Sequence, residues 1–271
     1  MSLGMLNDPS YSPRRVLIIK PSAIGDIVHA LPVLPKLKRR WPEAKLSWLV
    51  TPGCAGLVER HPLLDEVILF ERGRFGHGWY NPAALWDFGG FVRELRQRKF
   101  DLVIDLQGLF RSAWVSLASG ARRRIGFSNA REFAPWFYTD LVDCSWSDDH
   151  AVERYLKIAA ALGCDDHPPE FTFAVDNEDR RHIEQLIPAG TRFAVLMPGT
   201  NWVTKQWPVD RLAELVGPLR ERFGLECVAA GAAGDAKLTS RIPAKFDLMG
   251  KTNLRQIVAL LERASLVIGN D

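Results

Sequence analysis

Short, mostly β-branched apolar runs recur along the chain, and nearly every one is followed by a turn and then by residues at helical spacing. The first is Val16-Leu17-Ile18-Ile19, an unalternated run that reads as a strand buried on both faces. Lys20, Pro21 and Ser22 end it, Gly25 and Asp26 follow, and a helical pattern sets in at Ile27. Similar runs predict strands at 45–50, 66–70, 100–105 and 122–127, and again at 193–197, 225–230, 246–249 and from 266 onward. Helical spacing predicts helices over 25–41, 87–99, 150–162, 176–186, 209–223 and 254–264. Pro32 and Pro35 lie inside the first of these, where each removes a backbone donor, so that helix should kink or divide. Asp148 or Asp149 is expected to cap the helix at 150, and Gly163 to end it. Residues 71–85 show no clear period and read as a long loop.

Strands alternating with helices predict an α/β protein with doubly wound sheets. Pro168-Pro169 interrupts the series, and a linker is expected between 168 and 190. The result is two Rossmann-like domains, at 14–170 and 190–271. The first holds five or six strands and the second four, the last ending at Asp271 with no helix after it. The second domain is therefore expected to be truncated at its C-terminal side.

In open α/β sheets ligands bind outside the carboxyl ends of the strands. That rule puts Lys20, Ser22, Gly25 and Asp26 on the ligand rim, together with Gln107, Gly108 and Arg111 after the strand at 100–105. In the second half, the turn at 198–208 carries Gly199, Thr200 and Asn201, then Lys205 just ahead of a helix. Backbone N–H groups at such a turn, with a mobile cation beside them, suit a diphosphate. The spacing matches neither a P-loop nor a dinucleotide fingerprint, and an ordinary βα loop is the alternative. Trp207 closes this segment, and turns containing Gly231 and Met249-Gly250-Lys251-Thr252 follow the next two strands.

Composition narrows the classes. The chain has 271 residues, 47% hydrophobic and 25% charged, which is ordinary for a globular enzyme. No run reaches the roughly 18 apolar residues of a membrane span, and no signal peptide precedes the first strand, so a cytoplasmic location is expected. The four cysteines lack C-x-x-C spacing, and no acidic or His-rich cluster has metal-site spacing, so neither disulfide nor metal is expected. The net charge is only +3, with basic clusters at 36–40, 93–99 and 122–124. These read as solvated helix faces, and together they also suit an anionic acceptor or peripheral contact with an inner-membrane surface. No nucleic-acid motif accompanies them.

The segment K-P-S-A-I-G-D-I-V-H-A-L-P at 20–32 resembles the opening motif of the lipopolysaccharide ADP-heptose heptosyltransferases, glycosyltransferase family 9. P-G-T-x-x-x-x-K-x-W-P at 198–208, D-x-Q-G-x-x-R-S at 105–112, A-R-E at 130–132, H-A-V-E-R at 150–154 and G-N-D at 269–271 resemble further family segments in the same order. The first and the H-A-V-E-R segments favour the heptosyltransferase I branch. The resemblance implies a GT-B fold, with two domains facing a cleft. It also implies Asp26 as the catalytic base and Lys20, Ser22, Gly25, Gln107, Gly108, Arg111 and Arg131 on the acceptor side. Gly199, Thr200, Asn201, Lys205, Trp207, Gly231, Met249, Gly250, Thr252 and Asp271 fall on the donor side.

The activity so implied is inverting, metal-independent transfer of heptose from ADP-heptose to the Kdo of inner-core lipid A, with no cofactor. A nicotinamide oxidoreductase would need a glycine fingerprint at 16–26, where only Gly25 is present. A non-catalytic or truncated nucleotide-sugar-binding protein shares the same motifs and is separated from the enzyme by turnover; a transferase of the same family with another acceptor is the other alternative.

Overall fold

The computed structural model describes residue 8 and residues 10–71, 82–200 and 203–270. The chain divides into two compact units, at 1–174 and 175–271.

The first unit is built on six strands: β1 Arg15–Ile19, β2 Lys45–Val50, β3 Glu66–Leu69, β4 Leu102–Asp105, β5 Arg123–Phe127 and β6 Asp140–Val142. All pair in parallel, in the order β3-β2-β1-β4-β5-β6. Val16, Leu17, Ile18 and Ile19 are fully buried, as an unalternated run in a sheet covered on both faces requires. Leu17, Ile19, Leu49 and Val103 form one core with Leu95 of helix Pro82–Gln97 and Val115 of helix Phe110–Ala118. Helices Ile24–Ala30 and Val33–Arg40 pack against helix Ala151–Ala161. Each such aliphatic side chain contributes about 1.5–3 kcal/mol on full burial.

The prolines act where sequence places them. The first helix divides after Ala30, with Pro32 as the cap of the second piece. Pro35 falls in the first turn of that piece, where a backbone N–H would have no intrahelical partner to lose. The stretch expected as one helix at 209–223 is likewise two, Val209–Glu214 and Val216–Phe223. Pro218 has no N–H to offer the carbonyl of Glu214, and its ring crowds that carbonyl. Helix Pro82–Gln97 starts earlier than its apolar spacing indicates, so residues 82–85 are helical; most of the expected loop, 72–81, lies outside the described residues. Strand β6 spans three residues, too few for a periodic signal, and is pinned by Arg123 donating to buried Asp140 at 2.7 Å.

The cap of helix Ala151–Ala161 is His150, not Asp148 or Asp149. Its Nδ1 accepts from Val152 N, and its own N–H donates to the Glu153 carboxylate. Asp148 and Asp149 are drawn away by Ser145, whose hydroxyl and backbone N–H donate to them at 2.7 Å each.

The second unit carries β7 Phe193–Met197, β8 Glu226–Ala229, β9 Phe246–Asp247 and β10 Leu266–Gly269, all parallel, in the order β10-β7-β8-β9. Helix Asn177–Leu186, within the span expected to be linker, packs on helix Leu254–Arg263. Ile183 and Ile187 join Phe193 and Leu260 in this unit's core. Arg255 donates to buried Asp179 at 3.0 Å, and Arg180 pairs with Glu262 at 3.1 Å. No helix among the described residues is long and apolar enough to cross a membrane.

Candidate active site

In each sheet the first strand in sequence has neighbours that lead the chain in opposite directions. β1 lies between β2 and β4, and β7 lies between β8 and β10. The crevice at the carboxyl ends of such a pair is where doubly wound sheets take their ligands. The residues following β1, β4, β7 and β10 therefore define two ligand edges, one per unit.

At the first edge, Lys20 follows β1 and is only 2% exposed. Its Nζ lies 3.2 Å from Asp26 Oδ2 and 5.3 Å from the centre of the Tyr155 ring. Burial pulls the Lys20 pKa below its ordinary value, against the attraction of Asp26 and, behind it, Asp105. A buried ammonium is tolerable only with a carboxylate beside it. Lys20, expected on the acceptor, is thus covered by the chain, and its charge reaches the edge through Asp26. The Asp26 carboxylate is 45% exposed and sits in the first turn of helix Ile24–Ala30, where negative charge is favoured. Ser22 is half-buried. A side chain at Gly25 would meet nothing within 4 Å, so the glycine leaves open space next to the carboxylate.

Asp105 ends β4 and is fully buried. It accepts from Gln107 N at 2.8 Å, Gly108 N at 3.2 Å and the Tyr138 hydroxyl at 2.7 Å. Burial pushes its pKa up, and burial beside Asp105 pushes the Tyr138 phenol up as well. These bonds fold the turn that presents Gln107. Gly108 has φ +66°, and a Cβ there would lie 3.2 Å from that of Ala130. Its carbonyl accepts from Arg131 N at 3.1 Å, which ties the D-x-Q-G turn to the A-R-E segment. A cavity of about 330 Å³ opens here, lined among others by Ile19, Pro21, Gln107, Leu109, Arg111 and Glu132. The side-chain oxygen of Gln107 is buried without a hydrogen-bond partner. Arg111 and Arg131 are exposed. Sequence alone does not single out Asp105 or Glu132, although both sit inside the motifs; Asp105 is buried under the Tyr138 hydroxyl, from the segment before β6, which carries no periodic signal, and exposed Glu132 is held by Phe110 N.

The second edge is built differently. Gly199 lets the turn after β7 pack against the Asp235 carboxylate, in space a side chain would need. Asn270 fastens the two switch-point loops together: its Oδ1 accepts from Trp207 N at 2.9 Å, and its Nδ2 donates to Pro198 O at 2.7 Å. Thr200 is half-buried, and Lys205, in the short 3₁₀ turn Val203–Lys205, is exposed. Gly250 N donates to Gly231 O at 3.0 Å, joining the turns after β8 and β9. Gly250 has φ +67°, and a Cβ on it would come within 2.8 Å of Ala233. Met249 lies under Gly231, where an added Cβ would meet its sulfur at 3.0 Å. Thr252 Oγ1 is buried without a partner. Asn201 and Asp271 lie outside the described residues.

The sequence profile of glycosyltransferase family 9 (heptosyltransferase) matches residues 89–271. Lipopolysaccharide heptosyltransferase 1 of Pseudomonas aeruginosa is 32% identical over 237 residues, covering 86% of this chain; the chain spans 65% of that relative's length. Among solved structures, Escherichia coli heptosyltransferase WaaC with ADP-2-deoxy-2-fluoro heptose is similar, with a TM-score of 0.78 and 27% identity over 95% of this chain and 82% of that one. A glycosyltransferase family 9 protein from Veillonella parvula, 19% identical with a TM-score of 0.81 over 94% of this chain and 74% of that one, shares the fold.

Proposed function

This chain belongs to glycosyltransferase family 9, the heptosyltransferases, with a GT-B fold, and we propose that it transfers heptose from ADP-heptose to a sugar of the lipopolysaccharide inner core. The observation that carries the reading is the Asp26 carboxylate, held by buried Lys20 at 3.2 Å on the carboxyl edge of β1 and open to solvent on its other side.

In this reading the acceptor sugar, a Kdo on lipid A, binds at the first unit's edge. Gln107, Arg111 and Arg131 engage its hydroxyl and anionic groups, and Ser22, Gly25 and Gly108 shape the space. Asp26 accepts the proton of the acceptor hydroxyl as its oxygen bonds to the anomeric carbon. The bond from that carbon to the diphosphate oxygen breaks, and ADP leaves from the opposite face, so configuration inverts. Proton transfer accompanies attack, because a carboxylate is too weak a base to take a hydroxyl proton beforehand.

The diphosphate rests on the turn at Gly199 and Thr200, where the resemblance also assigns Asn201, with Lys205 balancing the charge that grows on the leaving oxygen. Trp207, Met249 and Thr252 border the nucleoside, Gly231 and Gly250 let the turns beneath it close on Met249 and Ala233, and the resemblance assigns Asp271 to the donor sugar. The chemistry asks for no metal or cofactor in this account, since cation and backbone donors take the charge.

Calorimetric titration with ADP-heptose, using UDP-glucose and NAD as controls, tests the donor. Saturable binding of ADP-heptose alone is expected, and binding of a control in its place would overturn the reading. Acceptor-dependent ADP release then tests the transfer itself.

A further inference from the structure

Next to the cavity at the first edge the unit exposes aromatic side chains that its core does not use. Phe133 is 68% and Trp136 81% exposed, and their rings pack only 5.2 Å apart. Phe110, also exposed, meets the edge of Phe137 at 5.5 Å. Large aromatics left in water forgo the burial free energy that would stabilise them inside, and grouped ones mark a surface that something else covers.

The backbone adds a second observation. Glu132 and Phe133 are consecutive non-glycine residues in the left-handed region, at φ 56° and 58°. That conformation is costly for residues with a side chain. Glu132 gains from it a bond from Phe110 N at 3.1 Å, whereas Phe133 gains no burial. The turn holds the Phe133 ring outward.

Charge supplies the third. Arg111 and Arg131 directly adjoin Phe110 and Glu132 in the chain, are exposed, and pair with no acidic group among the described residues. The Glu132 carboxylate accepts from the Phe110 amide and bridges to neither guanidinium. Two guanidinium groups against one carboxylate thus leave the aromatic tip with net positive charge.

We propose that Phe110, Phe133 and Trp136, with Arg111 and Arg131, form the surface by which the first unit docks on an anionic lipid bilayer, with the acceptor cavity opening beside the lipid headgroups. Aromatic rings, Trp above all, settle at headgroup depth, and arginines beside them meet lipid phosphates. A second copy of the chain fits less well. A stable dimer buries about 800 Å² on each partner, with charge depleted at the centre, whereas this is a tip of three rings with arginines between them. The purpose of docking rests on the acceptor being a lipid-anchored sugar; the docking itself is measured without acceptor.

The test is sedimentation of the intact chain with vesicles of phosphatidylglycerol and phosphatidylethanolamine, and with phosphatidylcholine vesicles. Binding to the anionic vesicles alone, weakened by salt, is expected. In the double variant Phe133→Ser/Trp136→Ser it should fall at least about tenfold. Transfer to detergent-dispersed acceptor should stay at the wild-type rate in that variant.

Absence of vesicle binding by the wild-type chain, or equal binding by the double variant, overturns the proposal. So does a wild-type dimer that the double variant dissociates while vesicle binding is unchanged, which assigns the tip to a second copy. If vesicles bind as expected but no chain transfers heptose to dispersed acceptor, the catalytic reading falls and the docking surface stands.

Discussion

At the edge of β1 and β4 the first unit assembles side-chain charge: Lys20 buried against Asp26, and Asp105 buried among three donors. At the edge of β7 and β10 the second unit assembles backbone: turns that close on one another at Gly199, Gly231 and Gly250, stitched by the Asn270 side chain. Both edges grow from the same arrangement, since β3-β2-β1-β4 and β9-β8-β7-β10 are one strand order repeated. The difference follows from the work proposed for each. Taking a proton needs a carboxylate held at one place and partly desolvated. Holding a diphosphate needs N–H groups close to the ligand, and glycine lets the backbone approach.

The sharpest way to break this comparison is to remove the carboxylate and keep its shape. Asp26→Asn should lower acceptor-dependent ADP release by about 100- to 10,000-fold, the range a general base contributes. A rate near wild type would move the chemistry elsewhere. Next in size is Asp105→Ala, which leaves two backbone amides and the Tyr138 hydroxyl without their acceptor in a buried place. The first unit should lose about 3 kcal/mol against urea. An unchanged midpoint would show that the turn at 107–108 holds itself.

In the second unit the matching change is to backbone. Gly250→Ala forces a side chain onto φ +67° and into Ala233, and should cost about 2 kcal/mol in that unit. Thermal unfolding followed by a second-unit probe would detect it. The smallest effect concerns the first unit's outer wall, where Asp165 bonds Arg39 and Lys36. Arg39 beside it lowers the Asp165 pKa to about 2. These bonds therefore contribute in full above the usual carboxylate range and fade as pH falls through about 2. The stability advantage of the native chain over Asp165→Asn should therefore shrink as pH falls from 5 to 2, read from paired urea denaturations at each pH; a constant difference would contradict it.

Much of the frame was legible because parallel strands buried on both faces leave unbroken apolar runs, as at 16–19 and 193–197. The prolines at 32 and 35 were legible for the same local reason, one missing donor each. What escaped depended on partners distant in sequence. Strand β6 is three residues long and exists through its pairing with β5. The capping of helix Ala151–Ala161 passed to His150 because Ser145 claimed both neighbouring aspartates. The burial of Lys20 was hidden too, since nothing local says that Tyr155, far along the chain, will cover it. Of the candidate site, the turns and their glycines were readable, while the support beneath them, Asp105 with Tyr138 and Asn270 with Trp207, was not.

The division of labour between the two edges is tested most directly by titrating ADP-heptose into three chains: wild type, Asp26→Asn and Lys205→Met. Equal donor affinity is expected for the first two and at least about tenfold weaker binding for the third, the loss of one charge-assisted contact to the diphosphate. Asp26→Asn weakened as much as Lys205→Met, or Lys205→Met binding like wild type, would contradict it.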